Sequence, residues 1–261
     1  MVQEQTTRQG DPGTRPVKAI VLAAGKGKRL HSETMDLPKV LRMAAGRPLL
    51  AWVLDNLSFV RPEDVTLVVG FQAEKVRQAM GGAYVYALQT EQLGTGHAVA
   101  AAAPQFKDYN GDVLVIYGDM PLFKPETYRD LVAKHQQSGA DCTLLTAVTD
   151  EIPDYGRIIR DRQGRFAGIV EQKDCTPEQR LINEVNPGVY VFRSQLLFQV
   201  LSSLRNNNAQ GEYYLTDVPL LIRENGGQIE TEIIHDDHQI LGVNTPEDLA
   251  RCERILQEAH S

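Results

Sequence analysis

The stretch VLAAGKGKRL, residues Val21 to Leu30, passes from an apolar run into a loop with two glycines and three cations. The run Ala19 to Ala23 is typical of a buried parallel strand, here ended by Gly25. Three cations flank the glycines: Lys26, Lys28 and Arg29. Backbone amides and a planar guanidinium both donate hydrogen bonds to anions, so the loop is suited to hold phosphate. A solvated turn between strand and helix is the alternative that the loop alone leaves open.

The amino-acid composition limits which classes of protein the chain can belong to. The chain has 261 residues, of which 42% are hydrophobic and 23% charged, enough for the core of one large α/β domain or two small ones. Its formal net charge of −7 argues against a general nucleic-acid binder. We therefore expect any polyanion to bind in a local basic pocket.

The cysteines, the lack of a long apolar run and the polar first residues all indicate in which cellular compartment the protein lies. Cys142, Cys175 and Cys252 are far apart, form neither a disulfide framework nor a metal-ligand pattern, and fit reduced thiols. No apolar run approaches the roughly 20 residues needed to span a bilayer. Residues 1–17 are polar and are predicted to be a disordered lead-in to one domain over residues 18–261. We expect a cytoplasmic protein without membrane or nucleic-acid partners; the sequence predicts no oligomeric state.

Apolar runs and helical patterns alternate through the first 150 residues. Strands are predicted at Ala19 to Ala23, Val65 to Val69, Ala83 to Leu88, Val113 to Tyr117 and Cys142 to Val148. Helices are predicted from Pro48, at Glu74 to Met80, after Gly96, and at Pro125 to Gln137. Such alternation implies right-handed βαβ crossovers and a mostly parallel sheet.

The regular alternation of predicted strands and helices ends after residue 150. A hairpin is predicted over Ile158 to Glu171, with its turn at Asp161 to Gly164. Later strands are predicted at Val189 to Phe192, Ile229 to Ile234 and Gln239 to Val243. Helices are predicted at Ser194 to Leu204, Leu215 to Glu224 and Pro246 to Ala259. The expected fold is α/β: a Rossmann-like, mostly parallel mixed sheet with a small β-rich region.

Three polar or flexible positions follow separate predicted strands: Gly25, Gln89 and Asp119. In open α/β sheets the ligand crevice lies beyond the carboxyl ends of the strands. We therefore expect these three segments to converge on one cleft.

The Gly-rich loop fits no common nucleotide-binding motif on its own. The Walker A pattern is absent, and Leu30 replaces the third glycine of GxGxxG. Together with Leu37 to Leu41 (LPKVL), however, the segment LAAGKGKR resembles the signature of sugar-1-phosphate nucleotidyltransferases. Further segments in the same order narrow the resemblance to the N-acetylglucosamine-1-phosphate uridylyltransferase domains of that family: residues 89–98, 117–122, 155–158, 169–174, 206–217 and 242–244.

The resemblance implies transfer of a uridylyl group from UTP to N-acetylglucosamine 1-phosphate, giving UDP-N-acetylglucosamine and pyrophosphate. Because the nucleophile is already a phosphate anion, catalysis would depend on positioning and charge neutralisation rather than on a general base. Two alternatives stay open: transfer to glucose or another hexose 1-phosphate, and a catalytically weak sensor that binds UDP-sugar.

The family pattern also implies roles for individual residues. Lys26 and Arg29 would hold the β- and γ-phosphates, and Lys39 would lie against the α-phosphate. Asp119 and Asn244 would bind Mg²⁺, which prefers oxygen ligands.

The implied substrate contacts fall in two parts of the chain. Residues 18–125 would mainly bind the nucleotide, through Leu22, Ala23, Ala24, Gly25, Gln89, Gly94, Thr95, Tyr117, Gly118 and Asp119. Within this set, the Gln89 amide would read uracil and Gly94 would let the backbone approach it. Residues 126–261 would mainly bind the sugar, through Gly156, Glu171, Asn186 and Asn244.

The sequence departs from the family pattern in three places. The link Leu30 to Asp36 is longer than usual and carries Glu33 and Asp36, which predicts a mobile flap beside the phosphates. Pro187 stands where threonine is usual, which favours the hexose alternative. The hexapeptide repeats of bifunctional members do not occur, so we expect no acetyltransferase activity and no trimer formed by them.

Overall fold

The computed structural model describes residues 15–30 and 36–259. The first strands are β1 (Val17–Ala23), β2 (Met43–Ala44), β3 (Arg47–Pro48), β4 (Val65–Val69), β5 (Val85–Leu88) and β6 (Asp112–Tyr117). They are followed by β7 (Cys142–Val148), β8 (Gly156–Arg160), β9 (Phe166–Val170), β10 (Glu184–Asn186), β11 (Tyr190–Arg193) and β12 (Ile229–Ile234). The helices are α1 (Leu49–Asp55), α2 (Ala73–Met80), α3 (Thr95–Ala100), α4 (Pro125–Ser138), α5 (Pro177–Arg180), α6 (Ser194–Leu201), α7 (Val218–Glu224) and α8 (Pro246–Ala259).

A large mixed sheet organises the described chain, in the order β5-β4-β1-β6-β11-β7-β10-β8-β9, with β12 beside β7. The strands β5, β4, β1 and β6 are parallel. β11 is antiparallel to both of its neighbours, and β10, β8 and β9 continue antiparallel. The predicted α/β fold is confirmed, with the parallel pairs concentrated in the first half of the chain and the antiparallel pairs in the second.

The apolar runs explain why the parallel strands lie at the centre. All five residues of β4 are buried, as expected when helices cover both faces of a parallel sheet. Along β1, Ala19 and Val21 pack into one core cluster and Ile20 and Leu22 into another, because successive side chains point to opposite faces. None of the described helices has the length and apolar character needed to cross a membrane.

Two predicted flexible segments fall largely outside the described residues. Of the expected lead-in over residues 1–17, residues 1–14 are not described, whereas Val17 opens β1. Arg15 Nε donates to Asp112 Oδ1 at 2.7 Å, which holds the chain just before β1 against β6. Residues 31–35 of the expected flap also lie outside the described part. Asp36, at its end, forms an ion pair with Lys75 of α2.

The predicted strand Gln239 to Val243 is wrong. A short 3₁₀ helix, Asp237–Ile240, occupies the start of this segment. The Gln239 side chain accepts hydrogen bonds from Lys124 N at 3.0 Å and Thr127 Oγ1 at 2.7 Å. Val243 N donates to Asp119 O at 3.0 Å. The segment is therefore bonded to the loop and helix that follow β6 instead of to a sheet edge.

The strands β10 and β11 form one line along β7 that is interrupted by a bulge over residues 186–189. Val185 pairs with Ala147 and Tyr190 with Leu144, so four residues stand opposite two, 145 and 146. Pro187 has no N–H to donate to a ladder, and Gly188 has φ +86°, so both residues suit a bulge. Bulges of this kind redirect side chains.

We predict that Gly188→Ala costs more stability than Gly226→Ala. Both glycines have similar positive φ values, +86° and +84°. A Cβ at Gly188 would lie 2.1 Å from Tyr117 Cε2, whereas Gly226 has open space. Gly226→Ala therefore measures backbone strain, and Gly188→Ala adds a clash with the Tyr117 ring. Urea unfolding should show a further loss of about 1–3 kcal/mol for Gly188→Ala. Equal losses would contradict the packing of Gly188 on Tyr117.

Candidate functional site

A cavity of about 660 Å³ opens where β1, β5 and β6 end. The three predicted positions after strand ends, Gly25, Gln89 and Asp119, all line it, so their expected convergence is confirmed. Its lining includes these residues expected at the nucleotide, phosphates or metal: Leu22, Ala23, Ala24, Gly25, Lys26, Arg29, Lys39, Gln89, Gly94, Thr95, Tyr117, Asp119 and Asn244. We call it the loop-side cavity.

A second cavity of about 320 Å³ adjoins the first, and we call it the hairpin-side cavity. It contains the other expected group, Gly156, Glu171 and Asn186. Seven residues line both cavities, and five of them were expected at the site: Arg29, Thr95, Tyr117, Asp119 and Asn244. Gln210 and Glu212 also line both and were not singled out from the sequence, although they lie in one of the quoted segments. Gly118 is among the lining residues of neither; its N–H donates to Leu22 O at 2.9 Å, behind the cavity wall.

Lys39 lines the loop-side cavity, and its ammonium lies between Asp119 and Asn244, which line both cavities. Its ammonium donates to Asn244 Oδ1 at 2.7 Å and forms an ion pair with Asp119. The backbone bond from Val243 N to Asp119 O holds these two distant segments side by side. Tyr155 fixes the backbone that leads to Asn244, because its hydroxyl donates to Ile240 O at 2.7 Å and accepts from Gly242 N at 2.9 Å.

This arrangement fits a Mg²⁺ ion. A carboxylate of Asp119 and an amide oxygen of Asn244 converge on one cation, the Lys39 ammonium. Oxygen ligands are those that Mg²⁺ prefers, and the ion usually keeps waters and substrate phosphates as further ligands. In residues 15–30 and 36–259 no group of three or more His, Cys, Asp or Glu side chains is placed to hold a metal. A site of one carboxylate and one amide would therefore rely on phosphates and water to complete its coordination.

Two cations of the Gly-rich loop, Lys26 and Arg29, line the loop-side cavity. Lys26 lines that cavity, and a side chain at Gly25 would meet open space. Arg29 lies at the mouth shared by both cavities, where its NH1 is 3.6 Å from Asp154 Oδ2. Both side chains are well exposed, at 60% and 71%. An exposed ion pair of this kind contributes only about 0.2–1 kcal/mol, so Arg29 can turn toward an anionic ligand at little cost.

Gln89 is buried at the end of β5 with its amide nitrogen held inward. Nε2 donates to Gly94 O at 3.1 Å and lies 3.1 Å from His97 Nδ1. Because Gly94 O can only accept, the nitrogen must face it, and Oε1 is the group left for a ligand. Gly94 has φ +112°, and a Cβ there would lie 2.6 Å from Tyr213 O. Only glycine fits this contact.

Glu171 supplies a carboxylate to the hairpin-side cavity. Thr216 Oγ1 donates to Glu171 Oε1 at 2.9 Å. Burial raises the pKa of Glu171, the Thr216 hydrogen bond opposes the shift, and Asp217, Asp174 and Glu212 raise it further. The carboxylate is thus held at an electrostatic cost, as is typical of a group retained for binding.

We predict that Glu171→Gln stabilises the protein at neutral pH. The pKa of Glu171 is higher in the folded state than in the unfolded chain, so folding favours the protonated carboxyl. Its contribution to stability is full below the unfolded pKa and is lost as pH rises through the folded one. A neutral amide avoids that loss. The melting temperature of Glu171→Gln should exceed that of the wild type at pH 7–8, with the gap closing toward pH 4. If Glu171→Gln melts at a lower temperature than the wild type at pH 7, the ionised Glu171 carboxylate does not destabilise the folded protein and the prediction is wrong.

Comparison with known proteins identifies a matching family and several similar bacterial proteins. The MobA-like NTP transferase domain matches residues 19–216. The Bifunctional protein GlmU of Pelobacter propionicus is 45% identical over 243 residues, which cover 92% of this chain and 52% of that protein. Those of Heliobacterium modesticaldum and Geobacillus thermodenitrificans are 45% and 42% identical over 240 residues, with the same coverage. The chain therefore spans about half the length of these relatives.

A solved structure shows the same fold. A Bacillus anthracis chain assigned as a glucose-1-phosphate thymidylyltransferase superposes with a TM-score of 0.74 over 93% of this chain and 96% of its own. The two sequences are 20% identical. At that identity the likeness concerns the fold alone.

Proposed function

The chain belongs to the MobA-like NTP transferase domain family, and from this premise we propose that it transfers a uridylyl group from UTP to N-acetylglucosamine 1-phosphate. The products are UDP-N-acetylglucosamine and pyrophosphate. The observation that carries the proposal is the meeting of two cavities at Asp119 and Asn244, with Lys39 held between these side chains. One cavity has the Gly-rich loop and Gln89, and the other has Glu171 and Asn186. Phosphates of two substrates would therefore meet at one cationic point.

For this transfer the protein has two tasks: it positions the two substrates, and it neutralises the negative charge of their phosphates. A phosphate oxygen of the sugar 1-phosphate forms a bond to the α-phosphorus of UTP, and the bond from that phosphorus to the β-bridging oxygen breaks. The nucleophile is an anion before it reacts, so no base is needed to activate it. Lys39 stabilises the charge that gathers at the α-phosphate. Lys26 and Arg29 bind the β- and γ-phosphates and support the departing pyrophosphate.

Asp119 and Asn244 would hold the Mg²⁺ ion that nucleotidyl transfer uses. When bound, the ion supplies positive charge against the phosphates of both substrates. The contacts of Lys39 with both side chains support this placement, since they show that the two oxygens face one cation. The requirement for Mg²⁺ is part of the proposal.

Base recognition rests on the orientation of Gln89. With Nε2 held by Gly94 O, the Oε1 atom is available to accept from N3–H of uracil. Cytosine carries an unprotonated N3, which would set two acceptors against each other. The geometry therefore supports UTP over CTP.

Sugar recognition would use two neighbouring strands and a carboxylate. Asn186 pairs with Gly156 across β10 and β8, and both residues line the hairpin-side cavity with Glu171. Pro187 gave the hexose alternative its support from the sequence. The bulge over residues 186–189 accounts for that proline in structural terms, so the alternative is not favoured.

The cysteines support a cytoplasmic setting for the reaction. Cys142, Cys175 and Cys252 are free and buried. Free thiols are usual where glutathione and thioredoxin keep cysteines reduced. We therefore propose a cytoplasmic enzyme that acts on small, phosphorylated substrates.

One assay tests the function: pyrophosphate release from UTP with Mg²⁺ across a panel of sugar 1-phosphates. The panel includes N-acetylglucosamine, glucosamine and glucose 1-phosphates, and the highest kcat/KM is expected for the first. Release only with glucose 1-phosphate would replace the acceptor in the proposal. Tight binding of UDP-N-acetylglucosamine without release for any sugar would identify a sensor and overturn the proposal.

We predict that Asp119→Ala lowers kcat by about 100-fold or more while the protein stays folded. The substitution removes the only carboxylate of the proposed metal site. Asp130→Ala, at an exposed position on α4, is the matched control and should retain wild-type activity. Pyrophosphate release and thermal unfolding measure both effects. Wild-type turnover in Asp119→Ala would remove Asp119 from the mechanism.

We predict that Gln89→Ala relaxes base choice more than it slows the reaction. Loss of the Oε1 acceptor removes a hydrogen bond to uracil and, equally, the repulsion against cytosine. The ratio of kcat/KM for UTP over CTP should fall about tenfold. If the ratio stays at its wild-type value, Gln89 does not read the base.

A further inference from the structure

Tyr190, on β11, contacts Asn186 at the start of the bulge. Asn186 Nδ2 donates to the Tyr190 hydroxyl oxygen at 2.6 Å. The tyrosine is fully buried, and Asn186 is only 6% exposed. β11 is bonded on both sides, with Tyr190 in register with Val115 of β6 and Leu144 of β7. The Tyr190 ring also stacks on Phe192, with ring centroids 5.5 Å apart. The sheet therefore holds the hydroxyl in a fixed position.

The other end of the Asn186 amide is fixed by the bulge itself. Asn186 Oδ1 accepts from Gly188 N at 3.2 Å. The φ of Pro187 is restricted by its ring, and the Gly188 backbone lies against the Tyr117 ring. A backbone N–H can only donate, so the amide oxygen must face Gly188 and the nitrogen must face Tyr190. A flipped amide would place two donors against each other.

These two contacts leave a defined hydrogen-bonding capacity toward the cavity. A side-chain amide has two N–H groups and two acceptor lone pairs. One of each is used by Tyr190 and Gly188, so one N–H and one lone pair remain on Asn186. Asn186 lines the hairpin-side cavity, where hydroxyl and acetamido groups of a sugar both donate and accept.

We propose that Tyr190 is a positioning residue for sugar recognition, which acts by fixing the orientation of the Asn186 amide. The proposal rests on the sugar-phosphate function proposed above. Tyr190 itself does not line either cavity; its hydroxyl holds the residue that does. Sugar specificity then depends on a residue that never touches the substrate.

Tyr190→Phe tests this role, because the ring stays and only the hydroxyl is lost. The Asn186 amide then loses the partner that holds its nitrogen and can rotate about its side-chain bonds. The KM for N-acetylglucosamine 1-phosphate should rise about three- to tenfold, while kcat and the KM for UTP change less than about twofold. An unchanged KM for the sugar phosphate would overturn the proposal.

The chain offers a matched control in Tyr128. This tyrosine is also fully buried, and its hydroxyl has no hydrogen-bond partner within the described residues. Tyr128→Phe removes the same atom from the core without touching Asn186, so it should leave all three kinetic constants at wild-type values. If Tyr128→Phe raises the KM for the sugar phosphate as much as Tyr190→Phe does, the effect is a general one of the core and the proposal fails.

A double-mutant cycle separates positioning from packing. Asn186→Ala removes the amide, so Tyr190→Phe should add nothing further in the Asn186→Ala background. Additive effects of the two substitutions would show that Tyr190 acts independently of Asn186 and would overturn the proposal.

Calorimetric titration with UDP-N-acetylglucosamine and with UDP keeps this test apart from the test of function. Tyr190→Phe should weaken binding of the UDP-sugar about three- to tenfold and leave UDP binding unchanged. A wild-type protein that binds UDP-N-acetylglucosamine but releases no pyrophosphate would contradict the proposed function alone. A Tyr190→Phe variant that binds it as the wild type does would contradict the positioning role alone.

Discussion

The contact of the Lys39 ammonium with Asp119 and Asn244 is the interaction on which the site depends. It joins Lys39 to Asp119, which is 80 positions later in the sequence, and to Asn244, which is 205 positions later. The contact therefore forms only when the segment of Lys39 and the segment of Asn244 both pack at the end of β6. The protein is acidic overall, with a net charge of −7. The proposed binding of two phosphorylated substrates would therefore require cations that are gathered locally and held by oxygen ligands. Lys39, with Lys26 and Arg29 nearby, supplies that charge at the boundary between two cavities.

The two kinds of sheet give the two cavities different characters. Parallel strands end together, so β1, β5 and β6 bring the Gly-rich loop, an amide and a carboxylate to one edge. The antiparallel part forms its cavity through local departures from regular pairing. The bulge over residues 186–189 turns Asn186 toward the hairpin-side cavity and presses Gly188 on Tyr117, which lines both cavities. A partly buried carboxylate, Glu171, is retained there although desolvation raises its pKa.

Local signals in the sequence predicted much of the fold and the loop-side cavity. The run VTLVV at Val65–Val69 is apolar at almost every position, and the turn at residues 161–164 has its own chemistry, so each is visible without knowledge of its partner. The bulge was not predicted, because Pro187 and Gly188 do not reveal that β7 lies opposite with two fewer residues. Gln239 to Val243 was mistaken for a strand, since its apolar residues do not show that Val243 N is bonded to Asp119 O. The pairing of Asn244 with Asp119 was accessible only through family resemblance.

A crystal structure with UTP and Mn²⁺ tests the central claim most directly, because anomalous scattering locates the metal independently of the nucleotide. We expect the Mn²⁺ peak in contact with both Asp119 and Asn244, and the triphosphate in the loop-side cavity against Lys26, Arg29 and Lys39. A peak bound to other carboxylates, or a triphosphate outside that cavity, would contradict the assignment of this cluster as the point where the two substrates meet.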